Sequence, residues 1–201
     1  MGTILIRVDA SHQIGMGHLI RCLSIANHVL DKGIKPVFIT SSNLAMEKIN
    51  TKGFECVLIS DNFQYALKEM KSLKTHHSSK IILVDINYCK TIEERQRYYD
   101  ILQGLMTMDY FLVTFEDFFS EVFPADIVII PYVGAESHKF KRKIGSQYLL
   151  GPKFFPIRKE FLEIGKKSLH KDDVKNILVT MGGSDPNQIT IKVIKALSNL
   201  K

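Results

Sequence analysis

The sequence predicts an open α/β sheet of parallel strands with helices on both faces. Two observations lead there. Six short apolar, β-branched runs recur over the first 131 residues, and helix-length segments separate most of them. Continuous apolar strands alternating with helices are the pattern of a sheet buried on both sides. The bulk numbers agree, since 45% apolar and 24% charged residues are an ordinary globular balance for a 201-residue chain.

The first run, TILIRVD (3–9), is a strand. Its apolar stretch is too short for a signal peptide and has no basic region before it. The opening Met-Gly is not an acylation signal, because Ile6 stands where Ser or Thr is required. The next strands are KPVFIT (35–40), ECVLIS (55–60), KIILVD (80–85), YFLVTF (110–115) and DIVIIP (126–131). Helices are expected over 18–31, 43–52, 62–74 and 91–104. No apolar run reaches the ~20 residues that span a bilayer.

A stretch richer in turns and charge follows at 151–173, with a short helical segment in RKEFLEIGKK. The pattern then restarts. KNILVTMGGSDP reads as a strand ending in a Gly-Gly turn, and NQITIKVIKALSNLK reads as a helix. One strand and one helix do not make a domain. The expected division is a first domain over 1–150, a linker over 151–175, and the first β-α unit of an incomplete second domain over 176–201. Apolar faces over 177–199 would then pack on the first domain, stay disordered, or self-associate with another chain.

Cys22, Cys56 and Cys89 are far apart and join no Cys/His cluster. That argues against structural zinc and against a disulfide framework, and points to a reducing cytoplasm. The net charge is +6, part of it in HKFKRK (138–143). With one aromatic and no recognisable binding module, that segment reads as a solvated loop rather than a nucleic-acid site. A modest positive charge also suits phosphorylated metabolites as partners. The remaining histidines show no ligand spacing, so neither a metal nor a cofactor is expected.

Ligands of an open parallel sheet bind at the carboxyl ends of its strands. Four segments fall there: Asp9–His18, Ser41–Asn43, Asp85–Tyr88 and Glu116–Asp117. In the first, Gly15 and Gly17 allow a tight turn and close approach of backbone to a ligand. The helix that follows offers free N–H groups and partial positive charge, a place for an anion. The same field disfavours the imidazolium form of His18, so a neutral His18 can act as a general base. The bland reading is that His18 caps the helix. Arg21, three residues on, shares its face and suits a carboxylate, phosphate or sugar hydroxyl. The motif is not the dinucleotide G-x-G-x-x-G, because Ile20 stands at the third glycine, and no G-K-[ST] makes it a phosphate loop. Asp85 ends a strand and either serves the site or caps the next turn. Of Glu116 and Asp117, at most one faces the site, because neighbours in a strand point to opposite faces.

The pattern RVDASHQIGMGHLIRCLSIA resembles a family of nucleotide-sugar enzymes. Its members hydrolyse a UDP-linked 2,4-diacetamido-2,4,6-trideoxy sugar in pseudaminic acid biosynthesis, and relatives are spore-coat polysaccharide glycosyltransferases. The matching residues are Arg7, Asp9, Ser11, Ile14, Gly15, Gly17, His18 and Arg21. ILVDINY, GPKFFPIRKEF and MGGSDP are similar to further family segments, in the family's order. The resemblance implies a GT-B fold whose Rossmann-like N-terminal domain holds the sugar and whose second domain binds UDP. His18 would be the general base for metal-free attack by water at the anomeric carbon, expelling UDP. A GT-B glycosyltransferase, or a non-catalytic sugar-binding half-enzyme, is the alternative. It implies substrate contacts from Asp9, Ser11, Gly15, Gly17, Arg21, Asp85 and Tyr88, and nucleotide contacts from Gly182, Gly183 and Ser184. The family's Asp-x-Tyr turn is one residue longer here, as Asp85-Ile86-Asn87-Tyr88. With one β-α unit of the second domain, the chain by itself is expected to be weak or inactive.

Overall fold

The structure, a computed structural model, describes residues 2–12, 15–86, 91–116, 122–163, 176–181, 185 and 187–199. Seven parallel strands form one sheet in the order β3-β2-β1-β4-β5-β6-β7. They are β1 (Thr3–Val8), β2 (Lys35–Thr40), β3 (Glu55–Leu58), β4 (Ile81–Asp85), β5 (Phe111–Phe115), β6 (Ile127–Ile130) and β7 (Gln147–Leu150). The first six coincide with the apolar runs of the sequence. The seventh was not foreseen. It is a half-buried edge strand of four residues, so QYLL carries no long apolar run.

The helices are α1 (Gly17–Asp31), α2 (Asn43–Thr51), α3 (Phe63–His76), α4 (Ile92–Thr107), α5 (Lys159–Glu163) and α6 (Ile189–Leu197). Local signals set their starts. Ser42 accepts from the Ala45 amide, Asn62 accepts from Gln64 and Tyr65, and Thr91 with Glu94 closes a reciprocal capping box. Alternation along each strand then builds two cores. Leu5, Ile39, Ile82 and Leu112 pack with Met70, Tyr98 and Leu102 of α3 and α4. Ile6, Phe38, Leu83 and Phe115 pack with Leu19, Cys22 and Ala26 of α1 and with α2. Gly104 lets α3 and α4 meet closely, because a Cβ there would lie 2.7 Å from the Leu67 side chain.

The chain runs outward from β1 to β3, then returns to β4 on the other side of β1. That reversal is a topological switch point, and it leaves a crevice above the carboxyl ends of β1 and β4. The register fixes who stands at its rim: Val8 pairs with Asp85, so Asp9 is the first residue beyond that rung.

The strand expected in KNILVTMGGSDP is corrected in its described part. Residues 176–181 join no ladder, and Ile177 and Leu178 are 61% and 87% exposed. Apolar, β-branched residues are not enough for a strand, because its backbone groups must also bond to a partner strand. The helix after it does form as α6, with Asp185 accepting from the Ile189 and Thr190 amides, yet none of its described residues is buried.

Candidate functional site

At the switch point the end of β4 faces the first turn of α1. Asp85 closes β4 with no solvent exposure, one alternation on from Leu83 and therefore on the α1 side. His18 and Arg21 sit three residues apart on α1 and both reach it. His18 Nδ1 lies 2.7 Å from Asp85 Oδ1, and Arg21 grips both carboxylate oxygens through Nε and Nη2. The Cys22 thiol donates to Asp85 Oδ2 at 3.4 Å. Burial alone would raise the Asp85 pKa. The hydrogen bonds from Arg21 and His18 outweigh it and hold the carboxyl below its ordinary 3.8.

Of the two neutral tautomers, this arrangement favours the one with the proton on Nδ1. Arg21 Nη2 is also 3.0 Å from His18 Nδ1, and a guanidinium can only donate. A bare Nδ1 would accept from Arg21 but would turn its lone pair on a carboxylate 2.7 Å away. A proton on Nδ1 satisfies Asp85 and leaves the lone pair on Nε2. The His18 side chain is 22% exposed. The hydrogen bond of Nδ1 goes to Asp85, and the N-cap of α1, Met16, makes no side-chain cap.

Arg21 is held from a second side, its guanidinium carbon 4.3 Å from the centre of the Phe115 ring. Its pKa is raised: burial would lower it, but the Asp85 bonds dominate. The Cys22 thiol is pushed up, by burial first and then by the Asp85 charge, so it stays a thiol.

A second buried pair lies on the other side of β1. Arg7 binds Asp9 through both Nη atoms at 2.5 and 2.7 Å. Thr40 Oγ1 and the Ser41 amide donate to Asp9 at 2.9 and 2.8 Å, and Ser41 Oγ donates at 3.1 Å. Burial would raise the Asp9 pKa, yet these partners, Arg7 foremost, keep it low. Its carboxylate thus ties the ends of β1 and β2 together. Ser11 and Gly15 bridge each other across the loop, the Gly15 amide donating to the Ser11 carbonyl at 2.8 Å, with Gly15 at φ 87°. Gly17 is different. A Cβ there would meet nothing within 4 Å, so the protein's own packing does not demand glycine.

Beyond β5, Glu116 is 2% exposed, and Thr114 Oγ1 lies 3.5 Å from its Oε1 and 2.5 Å from Tyr98 Oη. Ile14, Tyr88, Cys89, Asp117, Gly182, Gly183 and Ser184 lie outside the described residues. Among the described residues no three His, Cys, Asp or Glu side chains group where a metal ion would fit, and no helix is long and apolar enough to cross a membrane.

Sequence reasoning missed Thr40, Cys22 and Phe115. Phe115 and Asp85 each end a strand on the α1 side, which was a usable signal. The Arg7–Asp9 pair was also readable, because residues i and i+2 of a strand share a face.

No protein-family model matches the chain. An uncharacterized protein of Methanocaldococcus jannaschii is 32% identical over 207 residues, covering 96% of this chain and 39% of that protein. The chain thus spans about two fifths of the length of this relative. Among solved structures, MurG of Acinetobacter baumannii matches with a TM-score of 0.65 at 10% identity, covering all of this chain and 58% of MurG. A glycosyltransferase of Rickettsia africae matches at a TM-score of 0.44 and 12% identity, over 57% of this chain and 29% of that one. The seven-stranded parallel sheet is a Rossmann-like α/β fold of the kind found in MurG, and the likeness supports a GT-B-like fold.

Proposed function

We propose that the chain carries the general-base half of a sugar-nucleotide enzyme, most simply a glycosyltransferase. The observation that carries this reading is the His18 Nδ1–Asp85 Oδ1 contact of 2.7 Å at the switch point of the sheet. In this reading Asp85 orients the His18 ring, Arg21 holds Asp85, Phe115 packs on Arg21, and Nε2 of His18 is the base. In the step, an acceptor hydroxyl attacks the anomeric carbon of a nucleotide-linked sugar. Its proton passes to Nε2, the new C–O bond forms, and the bond to the diphosphate breaks with the electron pair on the leaving nucleotide. The α1 N-terminus, where Gly17 leaves backbone open to approach, would face negative charge on the substrate. Likeness of fold to MurG supports glycosyl transfer over other chemistries of parallel sheets.

With water in place of the acceptor the same base gives hydrolysis. That second reading, for a UDP-linked diacetamido-trideoxy sugar, rests on the resemblance of the segment from Arg7 to Arg21. In either reading Ser11, Gly15 and Arg21 border the sugar, and Gly182, Gly183 and Ser184 would contact the nucleotide. A product analysis separates the two. UDP release from the UDP-2,4-diacetamido sugar with a glycoside formed supports transfer, and free sugar supports hydrolysis. Turnover by His18→Ala equal to that of the unaltered chain would sink both.

A further inference from the structure

We propose that Tyr132 is a positioning residue of the site, holding Arg21 on Asp85 so that the His18 ring keeps its proton on Nδ1. The proposal rests on the general-base reading above and adds a residue to it. Asp85 closes β4, Phe115 closes β5 and Tyr132 stands two residues beyond β6, so three neighbouring strands each bring one side chain to Arg21. Asp85 accepts from its Nε and Nη2, and the Phe115 ring lies 4.3 Å from its guanidinium carbon. The Tyr132 side chain hydrogen-bonds it as well. A guanidinium only donates, so the phenol oxygen is the acceptor of that bond.

Arg21 has two places to direct a proton. Its Nη2 meets Asp85 Oδ1 and also lies 3.0 Å from His18 Nδ1. The two contacts are rivals. If Nη2 donates to Nδ1, the proton of the neutral ring must sit on Nε2, where it blocks the base. If Arg21 donates to Asp85 alone, Nδ1–H donates to Asp85 Oδ1 at 2.7 Å and Nε2 keeps its lone pair. A small slide of one long side chain separates the two states. Stacking on Phe115 resists tilting of the guanidinium plane but leaves sliding within that plane open. A bond from the guanidinium to the Tyr132 oxygen opposes the slide.

Tyr132 is itself well anchored. The Gly151 amide donates to the Ile130 carbonyl at 2.9 Å, and the Ala135 amide donates to the Tyr132 carbonyl at 3.2 Å. Ile130 and Ala135 are buried, and the Tyr132 ring packs against the core on the α3–α4 side. The phenol is thus presented from a fixed backbone.

Nitrogen-labelled histidine in the full chain tests this without a substrate. Long-range proton–nitrogen correlation spectra at about pH 8, above the ordinary histidine range, show which ring nitrogen carries the proton. Signals missing from His18→Gln belong to His18. The unaltered chain should hold His18 in the Nδ1–H form. Tyr132→Phe keeps the ring and removes only the hydroxyl, so the melting temperature should hold. The ratio of Nδ1–H to Nε2–H forms should fall about tenfold, the effect of losing one charge-assisted bond. Phe115→Leu, which loosens Arg21 at its other restraint, should move the ratio the same way. In a nucleotide-sugar assay Tyr132→Phe should lower kcat with KM unchanged. Identical His18 signals in Tyr132→Phe and the unaltered chain, an Nε2–H form in the unaltered chain, or a rise in KM at constant kcat would overturn the proposal. A ratio that depends on Tyr132, in a chain with no turnover, would sink the general-base reading and leave the positioning role standing.

Discussion

His18 Nδ1 and Asp85 Oδ1 are 2.7 Å apart in space and 67 residues apart in sequence. Neither residue makes the site alone. The parallel pairing of β1 with β4 carries Asp85 to the first turn of α1, and that pairing exists because both strands are continuous apolar runs. The proposed function gives the two residues distinct tasks, and these can be separated.

Replacing His18 by Ala should lower turnover of a nucleotide sugar by ~10²–10⁴ while leaving the fold intact, the usual effect of deleting a general base. Steady-state kinetics with a thermal melt alongside checks both halves. Asp85→Asn should also lower turnover, because an amide no longer dictates which imidazole nitrogen carries the proton.

Asp85→Asn should be costly to the fold as well. It strands Arg21 in a site where the side chain is 11% exposed, and breaking a buried pair costs about 3–5 kcal/mol. Urea unfolding measures this. A wild-type midpoint in the variant would contradict the account of Arg21.

Stability should fall in acid. Asp85 and Asp9 both have folded pKa values below the ordinary 3.8. The unfolded chain therefore binds their protons first, and stability rises with pH through the window beneath 3.8. Their contribution is fully present above that value and is lost as pH drops through the lower folded values. Urea midpoints taken from pH 6 to pH 2 should decline mostly below 4. A flat profile there would show that neither carboxylate is held by its partners.

Gly17→Ala separates packing from binding. The Cβ has free space and the residue is the first of α1, so stability should hold or rise by up to ~1 kcal/mol. Substrate affinity should drop, because the methyl group stands where the ligand meets the helix end. Unchanged affinity would place the ligand elsewhere.

Much of this fold was written in apolar runs. TILIRV, KPVFIT and IILVD read as strands, since all are bounded by turns or helical stretches and rich in β-branched residues. Gln147–Leu150 was not readable, because an edge strand needs one apolar face and few residues. The stretch 176–181 erred in the other direction. NILVT has strand propensity, but strand structure also needs a partner, and propensity does not supply one. At the site, His18 and Arg21 stood out because helix spacing and glycines are local signals. The role of Asp85 did not, because which helix a strand end faces is a property of topology. HKFKRK read as a solvated loop, and Lys139, Lys141 and Arg142 are indeed exposed, with Arg142 over the Tyr148 ring.

The Cys22 thiol, buried under α1 and donating to Asp85, has one more consequence. An alkylating reagent reaches that sulfur only when the first turns of α1 lift from the sheet. Cys56 is half-buried on β3, and its labelling rate supplies the reference. With Cys89 replaced by serine, the ratio of the two labelling rates measures how often the helix bearing His18 opens. A substrate that grips the helix end would slow the first rate and leave the second alone, so the protein carries an internal gauge of occupancy that needs no turnover.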